Sequence, residues 1–207
     1  MTSPAEQPGP ASSGAADQPP LLISLVQSLN GSYAADGWTT AISNDDDFGY
    51  FRELRRAAGA VIIDRRTALN PQLPRINAPG KALERTPVHV LSRTDPARLQ
   101  AELDRTGLGY RAHGIGGAQG REPERIRAVV PALARKDPAA PLLCEAGPHL
   151  AYRLLAAYPG AELHLSISPL YLHGPGTQAS SLQARIPLRL TGTERRGNQM
   201  ILRYRHR

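Results

Sequence analysis

Pro141-Leu142-Leu143-Cys144-Glu145-Ala146-Gly147-Pro148-His149-Leu150 passes from an apolar strand through two small residues into the first turn of a helix that carries Pro148. Gly147 has no Cβ and Ala146 only a methyl, so backbone N–H groups can approach an anion closely, and the helix start adds about half a positive charge. A pyrophosphate suits this geometry. A tight strand-to-helix connection holding no ligand suits it equally.

Working outward, the pattern alternates between strand and helix. Leu21 to Val26 is a nearly continuous apolar run, as in a strand buried on both faces, and Asn30-Gly31 after it signals a turn. Asp45-Asp46-Asp47 precedes Phe48, Phe51, Leu54 and Arg55, which predicts a helix over 46–58 stopped at Gly59. Ala60 to Ile63 and Val88 to Leu91 read as strands, and Asp95-Pro96 caps a helix reaching about Arg105. Tyr110-Arg111-Ala112 is a weak strand. Glu122 to Arg135 is a helix that Pro131 should kink, and His149 to Ala157 is another. Glu162 to Ser168 is a strand, and Ala184 to Leu190 and Gln199 to Tyr204 read as two more, joined near Arg196-Gly197-Asn198. The expectation is a three-layer α/β domain. Its sheet is mostly parallel and flanked by helices, with antiparallel strands at the C-terminus. Ligands of such sheets sit beyond the carboxyl ends of the strands.

Composition sets the bounds. The 207 residues fit one domain of ordinary size. Residues 1–20 hold five Pro, two Gly and three Ser with almost no large apolar side chain, and are expected to be a disordered tail ahead of a domain over 21–207. Setting that tail aside removes two acids and no base, so the net charge rises from +7 to +9. The longest apolar runs, four to six residues, are far short of the roughly 20 that span a bilayer, so no membrane is expected. The tail has no basic region followed by an apolar stretch, and the lone Cys144 cannot form an internal disulfide. Both point to a reducing, cytoplasmic setting.

Of the 25 basic residues 23 are Arg, whose planar fork grips phosphate or carboxylate with two bonds. Such a bias also arises from genomic base composition. Nucleic acid is a poor fit, because the basic residues are scattered and aromatics make up only 5% of the chain. A small phosphorylated ligand remains compatible.

The order of several motifs resembles the reductase domain of riboflavin biosynthesis, which has a dihydrofolate-reductase-like fold. Residues 143–148 followed by the Glu162 to Pro169 strand and Gly174 resemble its late strand, Glu-Gly-Gly, helix and Ser-Pro strand. Ser28-Leu29-Asn30-Gly31 resembles its Ser-Leu-Asp-Gly, Trp38-Thr39-Thr40 its Trp-Ile-Thr, and Leu54-Arg55 its Leu-Arg. Thr67 to Arg75 resembles, with shortened spacing, a loop of pattern Thr, Asp, Pro, Leu, Arg. The resemblance implies an NADPH-dependent reductase that forms a homodimer. Ala146, Gly147 and Pro148, with His149 beside them, would hold the pyrophosphate; Trp38 and Thr67 would lie along the cofactor, and Ser92-Arg93 would take the 2′-phosphate. Asn30, Arg55, Asn70, Arg75 and Glu145 would face a substrate such as a pyrimidine ribosylamine phosphate or a related imine of secondary metabolism. No catalytic side chain is singled out, since the cofactor carries the chemistry.

Departures from the pattern are Asn30 and Asn70 where Asp is usual, Ala146 ahead of the Gly, and Asp64 where a small residue is usual. A carboxylate there opposes a phosphate-rich cofactor unless Arg65 or Arg66 neutralises it. These changes also permit a catalytically silent binding or interaction protein on the same fold. The deaminase motifs His-x-Glu and Cys-x-x-Cys are missing, so a stand-alone reductase is expected.

Other signals have plainer readings. Gly114 to Gly120 breaks the Gly-x-Gly-x-x-Gly pattern at Gln119 and reads as a loop. Asp45 to Asp47 read as a helix start, and the six His show no metal spacing, so no metal site is expected. The serines lack a Gly-x-Ser-x-Gly context, Cys144 reads as inert core, and the arginines of the C-terminal tail read as a solvated edge.

Overall fold

The structure is a computed structural model that describes residues 18–71, 73–117, 120–134, 139–174, 177–179 and 185–207. The expected disordered tail falls, up to residue 17, outside the described residues, as do Arg135 and Ala184 at the ends of two predicted elements.

Apolar runs become central strands. In chain order β1 is Leu21–Ser28, β2 Ser32–Ala34, β3 Ala60–Asp64, β4 Val88–Ser92, β5 Arg111–Gly114 and β6 Leu142–Cys144. They are followed by β7 Ala161–Ser168, β8 Gln178–Ala179, β9 Leu188–Arg196 and β10 Gln199–His206. The helices are α1 Asp45–Ala57, α2 Arg65–Ala68, α3 Pro96–Thr106, α4 Glu122–Ala132 and α5 Pro148–Ala157. Eight strands form one sheet in the order β5-β4-β3-β6-β1-β7-β10-β9, while β2 and β8 make a small second pair. β5 through β7 pair in parallel, and β10 pairs antiparallel with both β7 and β9.

Side-chain alternation along the strands builds two faces. Leu21, Ile23, Ile62 and Cys144 pack on one face with Ile126 and Val130 of α4 and Leu150, Ala151, Leu154 and Leu155 of α5. On the other face, Val61, Ile63, Val88 and Val90 pack with Leu99 and Leu103 of α3, and Leu143 packs separately with Tyr50 and Leu54 of α1. The fold is therefore the three-layer, mostly parallel arrangement expected, with antiparallel strands at the end. Pro19 and Pro20 already belong to it: the Tyr158 hydroxyl donates to Pro19 O at 2.9 Å, and Leu142 N donates to Pro20 O at 2.8 Å.

Three local features differ from the sequence reading. Pro131 does not kink a long helix; it sits in the last turn of α4, which is capped at Leu133. With only Ala132 after it in the helix, the ring clash and missing N–H of Pro131 have no following helical segment to tilt. β9 begins at Leu188, after Pro187, and continues to Arg196. Its mixed, mostly exposed residues are those of an edge strand, where apolar pattern is weak. The short β2, α2 and β8 were not foreseen.

β1 leads to β3 by way of α1, and β6 later returns to lie between them. The strand order thus reverses beside β6, and in such sheets the ligand crevice lies beyond the carboxyl ends of the strands at that point, here β3, β6 and β1.

Candidate functional site

The turn 145–148 lies at that crevice. Glu145 N donates to Ile62 O at 2.8 Å, which holds the exit of β6 against β3. Gly147 caps α5 with Pro148 at the first helical position, as proline's fixed φ favours. Gly147 N donates at 2.7 Å to Asp64 Oδ2, at the end of β3. The other carboxylate oxygen, Asp64 Oδ1, caps α2 by accepting from Thr67 N at 2.8 Å. Asp64 therefore bridges two helix starts, a role its flag as a departure did not reveal.

Arg65 and Arg66 do not neutralise it. Arg65 pairs with Glu102 at 2.8 Å, and among the described residues neither arginine forms an ion pair with Asp64. The Arg66 guanidinium instead lies along Gly37, whose absent Cβ would sit 3.6 Å from Nη2. Asp36 (φ 53°) and Gly37 (φ 82°) form a tight turn closed by reciprocal Ala35 and Trp38 backbone bonds of 3.0 and 2.9 Å. Positive φ at both central positions explains the Asp-Gly pair. Through the Arg66 side chain this turn touches α2.

Ser92 ends β4, and its hydroxyl accepts from Thr94 N at 3.1 Å, folding Arg93 into a tight turn. Gly116 packs its backbone on that turn: a Cβ there would lie 2.4 Å from the Arg93 carbonyl oxygen. Close approach is thus what the glycines after β5 supply.

The substrate-facing residues divide. Arg55 of α1 and Glu145 form a two-bond ion pair, Nε to Oε1 and Nη2 to Oε2 both at 2.6 Å, with the Glu145 side chain only 6% exposed. The same guanidinium stacks 4.3 Å from the Phe51 ring centroid. Arg75 donates through Nε to Asn77 Oδ1 at 3.0 Å. Arg75, Arg55 and Glu145 all act on the phenol of Tyr110, whose pKa burial raises and whose oxygen accepts from Ile76 N at 2.9 Å. Tyr110, read from sequence only as the edge of a weak strand, is the member of this group that was missed; its large ring among small and charged neighbours was the one available signal.

Asn30 and Asn70 stand apart from it. Asn30 accepts from the Ser28 hydroxyl at 2.7 Å and exchanges two hydrogen bonds with the backbone of Leu172, latching the loop after β1 to the loop after β7. Asn70 N donates to Thr67 O at 3.4 Å in the turn leaving α2. His149 lies in the first turn of α5, exposed. Cys144 is fully buried, and burial pushes its thiol up to about 12 despite the Ala146 N–H that faces the sulfur.

No curated protein sequence matches the chain. Among solved structures, a pyrimidine reductase-like protein from Corynebacterium diphtheriae superposes with a TM-score of 0.64 at 16% identity, over 96% of each chain. The riboflavin biosynthesis reductase Rib7 of Saccharomyces cerevisiae gives 0.62 at 13% identity, over 95% of this chain and 93% of that one. Dihydrofolate reductase from Enterococcus faecalis, solved with NADP(H), gives 0.55 at 12% identity, over 91% and 97%. At these identities the likeness is one of fold, and it is the dihydrofolate-reductase-like fold. The model of the RibD C-terminal domain matches residues 19–202, so the chain belongs to the RibD C-terminal domain family.

Proposed function

We propose that the protein is an NADPH-dependent reductase that delivers a hydride to a small polar heterocyclic or imine substrate, of the class of a pyrimidine ribosylamine phosphate. Membership of the RibD C-terminal family supports a reductase role. The observation that carries the reading is the joining of the β3 and β6 exits at the reversal of strand order, with Thr67 in the helix after β3 and Ser92-Arg93 at the end of β4 along the same edge; Trp38 would lie along the cofactor. Ala146, Gly147, Pro148 and His149 would meet the pyrophosphate and Ser92 with Arg93 the 2′-phosphate, the group that tells NADPH from NADH. The edge suits a long anionic cofactor except at Asp64.

When bound, the nicotinamide supplies the hydride. The chain's own residues bind and orient: Arg75 and Arg55 face the anionic end of the substrate, Glu145 fixes the Arg55 fork, and Tyr110 closes the group from the β5 side. Asn30 and Asn70 shape the loops around it. Alignment of donor and acceptor is the chief contribution of the protein. A homodimer in the cytoplasm, working in secondary metabolism, completes the reading.

The catalytically silent alternative on the same fold has one observation in its favour: Asp64 and Glu145 already sit on the Gly147 amide and on Arg55. Titration with NADPH and NADH, followed by nicotinamide fluorescence, separates the two. The reductase reading predicts NADPH binding that Arg93→Ala weakens about tenfold or more while NADH binding is unchanged, as loss of one charge-assisted phosphate contact should. Absence of binding by either cofactor contradicts it and leaves the silent reading.

A further inference from the structure

The backbone N–H groups of Glu145 and Gly147 in the turn 145–148 already have internal acceptors. Glu145 N donates to Ile62 O at 2.8 Å, Ala146 N faces the Cys144 sulfur, and Gly147 N donates to Asp64 Oδ2 at 2.7 Å. Pro148 has no N–H to offer. The close approach that Gly147 permits is used by the chain's own carboxylate: a Cβ at 147 would lie 3.3 Å from Asp64 Oδ2. The second oxygen takes Thr67 N, and no arginine or lysine among the described residues pairs with the carboxylate. An anion at a helix start is favourable, and here that anion is covalently part of the protein. A second anion brought to the same amide must displace the first or endure its repulsion at close range.

We propose that Asp64 is a built-in counter-anion occupying the phosphate position of this turn, and that it sets how tightly the chain takes a dinucleotide. This rests on the NADPH reading above. The carboxylate must swing away from Gly147 for the pyrophosphate to reach the turn, so the free protein carries a self-contact that competes with its cofactor. Asp64 is in this sense a specificity-determining residue, disfavouring phosphate-bearing ligands at the end of β3.

The test compares the wild-type chain with Asp64→Asn, which removes the charge while an amide oxygen can still cap Thr67. Calorimetric titration with inorganic pyrophosphate should show no binding to the wild type and measurable binding to the variant. NADPH should bind the variant at least about tenfold more tightly. Without any ligand, the Gly147 amide resonance should move in the variant, which checks the contact independently of binding. If the variant does not fold, Asp64→Ser, a cap without charge, takes its place. NADPH affinity that is unchanged or weaker in a folded variant overturns this proposal and leaves the reductase reading standing. Failure of both proteins to bind NADPH overturns both.

Discussion

Glu145 and Arg55 show how much of a site lies in pairing that no sequence displays. Each is legible alone, one after a strand and one at a helix end, but their ninety-residue separation in sequence hides the two-bond contact. Arg55→Ala would leave a carboxylate that is 6% exposed without its cation. Since the arginine itself is 29% exposed, the cost falls below that of a fully buried pair, about 1–3 kcal/mol, measurable by denaturant unfolding. Glu145→Gln should cost less, about 1 kcal/mol, because the arginine can reach water. Cys144 gives a second residue-scale expectation. With its thiol pushed up to about 12 by burial, alkylating reagents should leave it unmodified in the folded protein and label it once denatured, as intact mass would report. Labelling of the native protein at the denatured rate contradicts that reading.

At the level of elements, strands with continuous apolar runs and helices with explicit caps were readable, because burial and capping are local statements. Asp95 accepting from Arg98 N at 2.9 Å is such a cap. β2 and β8, three and two residues long, carry no period to detect and exist through mutual pairing. α2 depends on Asp64, whose cap is visible only once its partner Thr67 is known to be helical. The glycines after β5 drew attention as a nucleotide pattern; what they do here is let one loop lie on another. Gly116→Ala drives a Cβ into the Arg93 carbonyl and should lower stability by about 1–3 kcal/mol, seen as a lower melting temperature. It should also weaken NADPH binding, because the Ser92-Arg93 turn must shift. A melting temperature equal to the wild type would show that the loop adjusts freely.

Across the whole molecule, the layer order followed from alternating elements, whereas the place of β6 between β3 and β1 did not, and the second face gains a polar cluster that sequence does not suggest. There the Tyr50 hydroxyl and His164 Nδ1 lie 2.6 Å apart, Glu162 Oε1 is 3.1 Å from His164 Nε2, and Arg203 and Arg205 approach from β10. Burial, helped by the two arginines, holds His164 below the usual imidazole range against the pull of Glu162, and burial with Arg111 does the same to His113. The unfolded chain then binds protons that the folded chain refuses. The resulting stability is present above about pH 6.5 and declines as pH falls below it. Denaturant midpoints should therefore drop between about pH 7.5 and about pH 5.5, and His164→Gln should reduce that drop. A midpoint independent of pH over that window contradicts the assignment. Among the described residues no helix is long and apolar enough to cross a membrane. Among the described residues seven of the arginines that first suggested phosphate ligands pair with carboxylates: Arg55 with Glu145, Arg65 and Arg98 with Glu102, Arg153 with Glu122, Arg196 with Glu53 and Glu194, Arg203 with Glu194, and Arg205 with Glu162. Arg93 and Arg75 form no ion pair among the described residues, and they are the cations on which the proposed phosphate contacts rest. The central claim is that NADPH binds along the carboxyl edge of β3, β4 and β6. It is tested most directly by following backbone amide resonances of the isotope-labelled wild-type chain as NADPH is added: the account predicts the largest shifts at Thr67, Arg93, Gly147 and His149, and shifts confined elsewhere, or none, would contradict it.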